Sequence, residues 1–321
     1  MLAAYEAANT RAALFDRTPR ARLDVLGPDR AKFLQNLTTN EIKRLAPGRG
    51  VEAFITSPQG KTLAYATVLA LDAKLVLRGD AGMLDRARPH LEKYGLFDDV
   101  RLDDAGPRTF EFHLAGPSAV ALIGPSAPVR ELDHATIEVG TVAVRVIRED
   151  PTGLPGITLI GAIEDAGAIR EAMGEVALGD DASFDILRIE AGTPVDGVDV
   201  RPDNLPQEVG RDARAISFVK GCYLGQETVA RIDAIGHVNR IFRGLRVEGD
   251  TAPDPGSPLS FEGKTVGVIT SSAVSPGRGG SIALGYVRVA QAEPGTRLSV
   301  EVGGAARAAT VVDLPMRPPA L

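Results

Sequence analysis

"RLDVLGPDRAKFLQNL" (residues 22–37) and "FEFHLAGPSAVALIG" (residues 110–124) share one pattern. In each, apolar residues alternate, a Gly-Pro pair follows (Gly27-Pro28, Gly116-Pro117), and a short helical periodicity begins. Alternation reads as a strand, and Gly-Pro with proline at the first helical position reads as a strand-to-helix corner. The elements after each corner also correspond. The first is followed by the hairpin "GVEAFITSPQGKTLAYATVLAL", turning at Ser57-Pro58-Gln59-Gly60, then a strand "KLVLRG" and a helix "AGMLDRARPHLEKYG". The second is followed by "ATIEVGTVAVRVIRED", "GITLIGA" and "IEDAGAIREAMGE". Each half reads strand, helix, strands, helix. The pattern predicts two related α+β units, roughly residues 1–105 and 106–238.

The remaining texture differs. Residues 183–232 open with a helical run that ends at Gly192, pass through a long polar loop and a short strand "AISF", and reach a helix beginning near Gly225. A polar loop of that length in a compact protein is functional or disordered. From residue 239 to 321, short strands with Gly/Pro turns ("IFRGLRVEG", "PLSFEGKTVGVITSSAV", "SIALGYVRV", "TRLSVEVGGAARAATVVDL") predict a small antiparallel β-barrel.

Composition narrows the function. The formal net charge of −6 gives no support for the basic face that grips nucleic acid, although a local patch is compatible with that total. A single cysteine excludes an internal disulfide and any four-cysteine metal site built by this chain alone. The four histidines (His90, His113, His134, His237) are scattered without metal-ligand spacing, so no metal is expected. The N-terminal stretch carries Glu6, Arg11 and Asp16, and the longest apolar run is broken by Asp72 and Lys74. A soluble cytoplasmic protein without a membrane span is expected.

The lone thiol lies in "KGCYLGQETVAR" (residues 220–231). Lys220 and the helix start near Gly225 are the surroundings that favour a thiolate at Cys222. A small residue filling a buried corner is the competing reading. A cysteine hydrolase would need a base such as His237, and the spacing is not that of a nucleophile elbow. Lys220 is open to a Schiff-base or an anion-pairing role. Gln226 and Glu227 are placed to cap backbone N–H groups, and Arg231 to pair with Glu227 or to reach an anion in a cleft. Glu190, in "LRIEAG", is an acid at a helix C-terminus, against the macrodipole preference, and such an acid often faces a partner. A carboxylate there can accept two N–H bonds from a 2-amino-pyrimidinone edge; a solvated helix end is the alternative.

"RIEAGTPVDG…LPQEVG…ISFVKGCYLGQETVAR" resembles the YgfZ-type folate-binding proteins, paralogues of the glycine cleavage system T-protein (aminomethyltransferase). The subgroup's K-G-C-[aromatic]-x-G-Q-E signature is complete over residues 220–227. "LDVLGPDRAKFLQNLTTNEI" and the C-terminal strands are similar to the superfamily's start and closing barrel, so the resemblance spans nearly the whole chain. It implies an α+β fold of three lobes in a ring, two related units plus the barrel, with tetrahydrofolate or a derivative in a central channel. It implies Glu190 as the pterin-reading carboxylate, with Gly221, Tyr223, Gly225, Gln226 and Arg231 near the channel.

The T-protein has a catalytic Asp in a Gly-Gly-x-x-Asp-Asp stretch after its first hairpin. Here the matching "QGKTLAYATV" has Ala64 and Tyr65 in place of the acids. Folate binding does not need that proton-transfer group, whereas C–N cleavage does. The resemblance thus implies a tetrahydrofolate-binding accessory protein for assembly or repair of iron–sulfur enzymes, including tRNA-modifying ones. Iron–sulfur enzymes or assembly proteins would be its partners, Cys222 its working thiol, and Tyr65 a residue against the ligand. The alternative is a folate-dependent one-carbon (aminomethyl or methyl) transferase in which Asp72 or Asp80 replaces the lost base.

Overall fold

The computed structural model describes residues 2–236 and 238–316. In chain order the first part runs α1 (Leu2–Thr10), β1 (Ala13–Asp16), β2 (Ala21–Leu26), α2 (Arg30–Leu37), β3 (Gly50–Thr56), β4 (Thr62–Ala70), β5 (Leu75–Gly79), α3 (Met83–Tyr94) and β6 (Arg101–Asp104). The second runs β7 (Thr109–Ala115), α4 (Ala119–Ile123), β8 (His134–Val139), β9 (Val142–Arg148), β10 (Gly156–Ala162), α5 (Ala166–Ala172), β11 (Ala177–Gly179) and α6 (Asp181–Ala191). Both Gly-Pro corners sit between a strand and a helix, as their sequences predict.

The sheet orders expose the duplication. The first sheet is β3-β4-β5-β2-β6; the second is β8-β9-β10-β7-β1-β11. Matching β2–β6 to β7–β11 gives the same order twice, with one strand inserted: β1 lies between β7 and β11. It runs antiparallel to β7 (Phe15 opposite His113) and parallel to β11. The N-terminal segment therefore completes the second sheet, and no single cut at residue 105 separates the two units.

Each sheet buries one face under its helices. In the first, Leu23, Val25, Ala64, Ala66, Val68 and Leu77 pack with Phe33 and Leu34 of α2 and Leu91 of α3. In the second, Phe110, Phe112, Leu114, Val144, Val146, Ile157 and Leu159 pack with Ala119 and Ile169. Period-two alternation sends the intervening residues to the opposite faces, and these inner faces meet. Leu69 and Val76 of the first sheet cluster with Ile147 and Ile160 of the second, and beside them Arg78 reaches across to Glu111 and Glu149.

After α6 come a short helix α7 (Asp212–Ala215) and α8 (Gln226–Ile235). The residues expected as strand "AISF" instead end α7 and continue as irregular chain, with Ser217 N–H donating to Thr39 O. The long polar loop is ordered by buried side chains: Asp199 accepts from Arg188, Ser271 and Thr270, and Glu208 accepts from Asn204 and Arg240. The chain then forms a closed antiparallel barrel of β12 (Arg240–Val247), β13 (Pro258–Phe261), β14 (Lys264–Ser275), β15 (Gly280–Arg288), β16 (Arg297–Val302) and β17 (Ala305–Val312). Leu245, Ile269, Val287, Val300 and Val311 fill it. Helix α6 joins the second unit to the barrel. Phe184 and Leu187 pack with α1 and β1, and Ile189 packs with Phe242 and Tyr286 of the barrel. Among the described residues no helix is long and apolar enough to cross a membrane.

Candidate functional site

A cleft opens where the two inner faces diverge beside α6. Its wall takes Tyr65 and Glu52 from the first sheet, His113 from the second, Arg17 and Arg20 from the β1–β2 connection, and Phe184 and Arg188 from α6. Six arginines and five carboxylates line it, so it is close to charge-balanced rather than an anion trap. A second compartment of about 490 Å³ shares Arg17, Arg20, Asp80, Arg188 and Val195 with the first and is closed by Thr270, Ser271 and Ser272 of the barrel.

The charges hold one another. Glu52 accepts from Arg211 (2.7 Å and 3.1 Å), from Arg214 (2.8 Å) and from the Tyr65 hydroxyl. Deeper in, the Arg78 guanidinium forks onto Glu111 at 2.9 Å twice and onto Glu149 at 2.8 Å and 2.5 Å. Burial opposes ionisation of both carboxylates, but Arg78 outweighs it and holds both below the ordinary range.

Strand alternation decides what positions 64 and 65 can do. Ala64 is fully buried in the core under α2. Tyr65 points the other way into the cleft, with its ring 5.0 Å from Phe54 and its hydroxyl also accepting from Arg211 Nε at 3.0 Å. Burial, then Glu52, push the Tyr65 pKa above its ordinary 10, so at neutral pH this position offers a hydroxyl and no base. Of the two aspartates considered as replacements, Asp72 is exposed in the β4–β5 turn, whereas Asp80 lines both compartments. Asp80 sits 3.2 Å from Arg20 and accepts the Asp196 N–H at 2.9 Å. Asp196 itself is pushed up to about 6, by burial first, with Arg86 offsetting only part.

Glu190 does not line the cleft. It is 1% exposed between α1 and the barrel, where it accepts from the Tyr5 hydroxyl at 2.8 Å and from Ser275. The helix end is thus a buried junction and not a solvated tip.

The 220–231 stretch also lies off the cleft. Lys220 is buried, and its ammonium donates to the carbonyls of Gln35, Thr38 and Asn40 at 2.6–2.7 Å. Burial lowers its pKa to about 8, and all three donors are spent on the chain leaving α2. A Schiff-base role, or help to a thiolate, does not fit an ammonium held this way. Tyr223 is buried with Phe54, Val209 and Val229 and is not part of the cleft wall. Gly225 takes φ 85° at the start of α8 and abuts the β3–β4 hairpin, where an added Cβ would stand 2.4 Å from Ser57 O. Among the described residues no side-chain hydrogen bond caps this helix start, and the expected capping by Gln226 and Glu227 is not seen there. Gly221 and Arg231 are exposed, and a Glu227–Arg231 pair is not among the ion pairs of the described residues. Cys222 is exposed beside Phe218 and Val219, which are 44% and 96% exposed. His237 lies outside the described residues.

Sequence reading missed the wall formed by Arg17, Arg20, His113, Arg188 and Arg211. The available signal was polar residues alternating within strands, as in "FEFHLA", whose second face was open to assignment.

Known proteins share this architecture. Residues 1–220 match the GCVT N-terminal domain, and residues 240–317 match the glycine cleavage T-protein C-terminal barrel domain. A probable aminomethyltransferase of Natronomonas pharaonis is 31% identical over 97% of this chain and 89% of its own. The mitochondrial aminomethyltransferase of Gallus gallus is 30% identical over 95% of this chain and 81% of its own. The crystal structure of glycine cleavage system aminomethyltransferase T from Bartonella henselae superposes with a TM-score of 0.89 at 23% identity, covering 99% of this chain and 90% of that one. With both the α+β region and the barrel accounted for, the chain belongs to the glycine cleavage T-protein family.

Proposed function

We propose that this protein binds a tetrahydrofolate in the cleft and serves, like the YgfZ-type proteins its cysteine motif resembles, as an accessory factor for iron–sulfur enzymes, with Cys222 as the thiol offered to the partner. The observation that carries this reading is position 65. The strand residue that faces the cleft where the family has its acid is a protonated tyrosine, anchored by Glu52 and Arg211. Such a group donates a hydrogen bond and packs a ring, and it does not take a proton at neutral pH. Aromatic surfaces at Tyr65 and Phe184 with mixed-sign polar groups between them suit a flat heterocycle with donors and acceptors on its edge. When bound, tetrahydrofolate supplies a carrier for a one-carbon unit. The exposed thiol stands outside this cleft beside exposed Phe218 and Val219, which supports a protein partner as its target. Glu190 belongs to the proposal as a pterin reader only if Tyr5 and Ser275 release it.

A second reading, a one-carbon transferase, is favoured by Asp80, a carboxylate that faces both compartments. The deciding experiment is calorimetric titration of the reduced protein with tetrahydrofolate, beside Tyr65→Phe and Glu190→Ala. Binding weakened by Tyr65→Phe places the ligand in the cleft, and no binding by the wild type sinks the folate reading. Cys222→Ser should leave affinity unchanged and abolish support of iron–sulfur enzymes in cells. Methylene-tetrahydrofolate formed from an aminomethylated lipoyl carrier, and lost in Asp80→Asn, would establish the transferase instead.

A further inference from the structure

Among the described residues, one buried acceptor in the cleft wall has no hydrogen-bond partner. His113 lies on β7 between Phe112 and Leu114, which point into the core of the second unit, so its side chain faces the other way. It is 2% exposed. Its Nδ1 is 2.9 Å from Thr158 Oγ1, and the Thr158 hydroxyl is bonded to Glu149. Glu149 is an ionised carboxylate held by Arg78 and can only accept. The single Thr158 proton therefore goes to Glu149, and Thr158 Oγ1 accepts from His113. That order puts the ring proton on Nδ1 and leaves a lone pair on Nε2. Burial keeps the imidazole neutral, with its pKa lowered to about 4.

Nε2 has no hydrogen-bond partner among the described residues. The ring edge rests over Gly156, where an added Cβ would come within 2.8 Å of Cε1 and 3.0 Å of Nε2. Phe184 stands perpendicular to it, with ring centres 5.9 Å apart. His113, Phe184 and Glu149 all belong to the cleft wall. A chain of three residues thus fixes one tautomer, and the acceptor it presents is left unmatched although burying an unpaired acceptor is unfavourable.

We propose that His113 is a binding residue of the cleft: its Nε2 accepts a hydrogen bond from an N–H group of the bound pteridine ring, and Thr158 and Glu149 are positioning residues that hold the accepting tautomer. This rests on the folate reading above. It adds a donor requirement on the ligand edge that meets the second unit.

The test uses the full chain with 15N-labelled histidine. Long-range 15N–1H spectra of the ligand-free protein should show His113 protonated at Nδ1, and Thr158→Val, which keeps the branched volume, should lose that fixed tautomer. Adding tetrahydrofolate should move the His113 Nε2 resonance. Calorimetry should show affinity about tenfold weaker in His113→Phe and weaker in Thr158→Val. A ring proton on Nε2 in the ligand-free protein overturns the inference. So does an unmoved Nε2 resonance when tetrahydrofolate shifts the signals of Tyr65 and Phe184. If tetrahydrofolate moves no cleft signal at all, the folate reading falls and takes this inference with it.

Discussion

At the scale of the residue, Lys220 shows how a motif position can be structural. Its three N–H groups bind three carbonyls where the chain leaves α2. Lys220→Met keeps the stem but strands those carbonyls, and should cost about 2–4 kcal/mol in urea unfolding; unchanged stability would return Lys220 to the list of reactive groups. Asp196 gives a pH signature. Its folded pKa is raised from the ordinary 3.8 to about 6. The unfolded chain loses that proton first, so the stability it contributes is full below about 3.8 and is lost as pH rises through about 6. Comparison with Asp196→Asn cancels the other titrations. The stability of the wild type relative to this variant should fall by about 2 kcal/mol between pH 4.5 and 7. A flat difference would mean that Arg86 fully compensates the burial.

At the scale of the element, the turn that precedes α8 is a docking device. Leu224 N–H donates to Asn36 O, the Thr56 hydroxyl donates to Leu224 O, and Gly225 meets the hairpin at Ser57 and Gly60. Gly225→Ala places a Cβ against a backbone carbonyl in a left-handed conformation and should cost about 2–4 kcal/mol, read by chemical denaturation. A stability change within about 0.5 kcal/mol would show that the hairpin can move aside. This contact also explains what the sequence could and could not tell. The Gly-Pro corners, the hairpin, the Gly192 helix end and the barrel strands follow local rules, and all were legible. The insertion of β1 between β7 and β11 pairs residues about a hundred positions apart or more, with no local pattern to announce it. Alternating strands such as "FEFHLA" gave the right elements, but whether Glu111 and His113 face solvent or another sheet depends on the partner sheet. The cysteine motif reads as a ligand turn because its glycines are distinctive, yet Gly225 serves the corner against the hairpin and Gly221 is exposed with open space around it.

At the scale of the whole molecule, the two units are joined by a charged layer as well as an apolar one. Arg78 is the first unit's principal cation in it, 1% exposed, with Glu111 and Glu149 of the second unit on its fork and Arg22 adding a 3.3 Å contact to Glu111. A buried ion cluster of this kind contributes little net stability compared with an apolar replacement, but breaking it on one side leaves uncompensated charge. Arg78→Leu should therefore destabilise by about 3–5 kcal/mol, since it strips Glu149 of the cation that holds it and leaves Glu111 with only the 3.3 Å contacts of Arg20 and Arg22. Adding Glu111→Gln and Glu149→Gln to that variant removes the stranded charge and should recover part of the loss in guanidinium unfolding. Failure of the triple variant to recover any stability would assign the loss to packing of the Arg78 stem instead. The same layer sets the floor of the cleft. Glu149 is shared by the Arg78 fork and by Thr158, which bonds His113. Arg78→Leu should thus disturb ligand affinity as well as stability, whereas Lys220→Met should alter stability alone. Titrating both variants with tetrahydrofolate under conditions where each remains folded separates the two, and equal affinity in both would uncouple the inter-unit layer from the site.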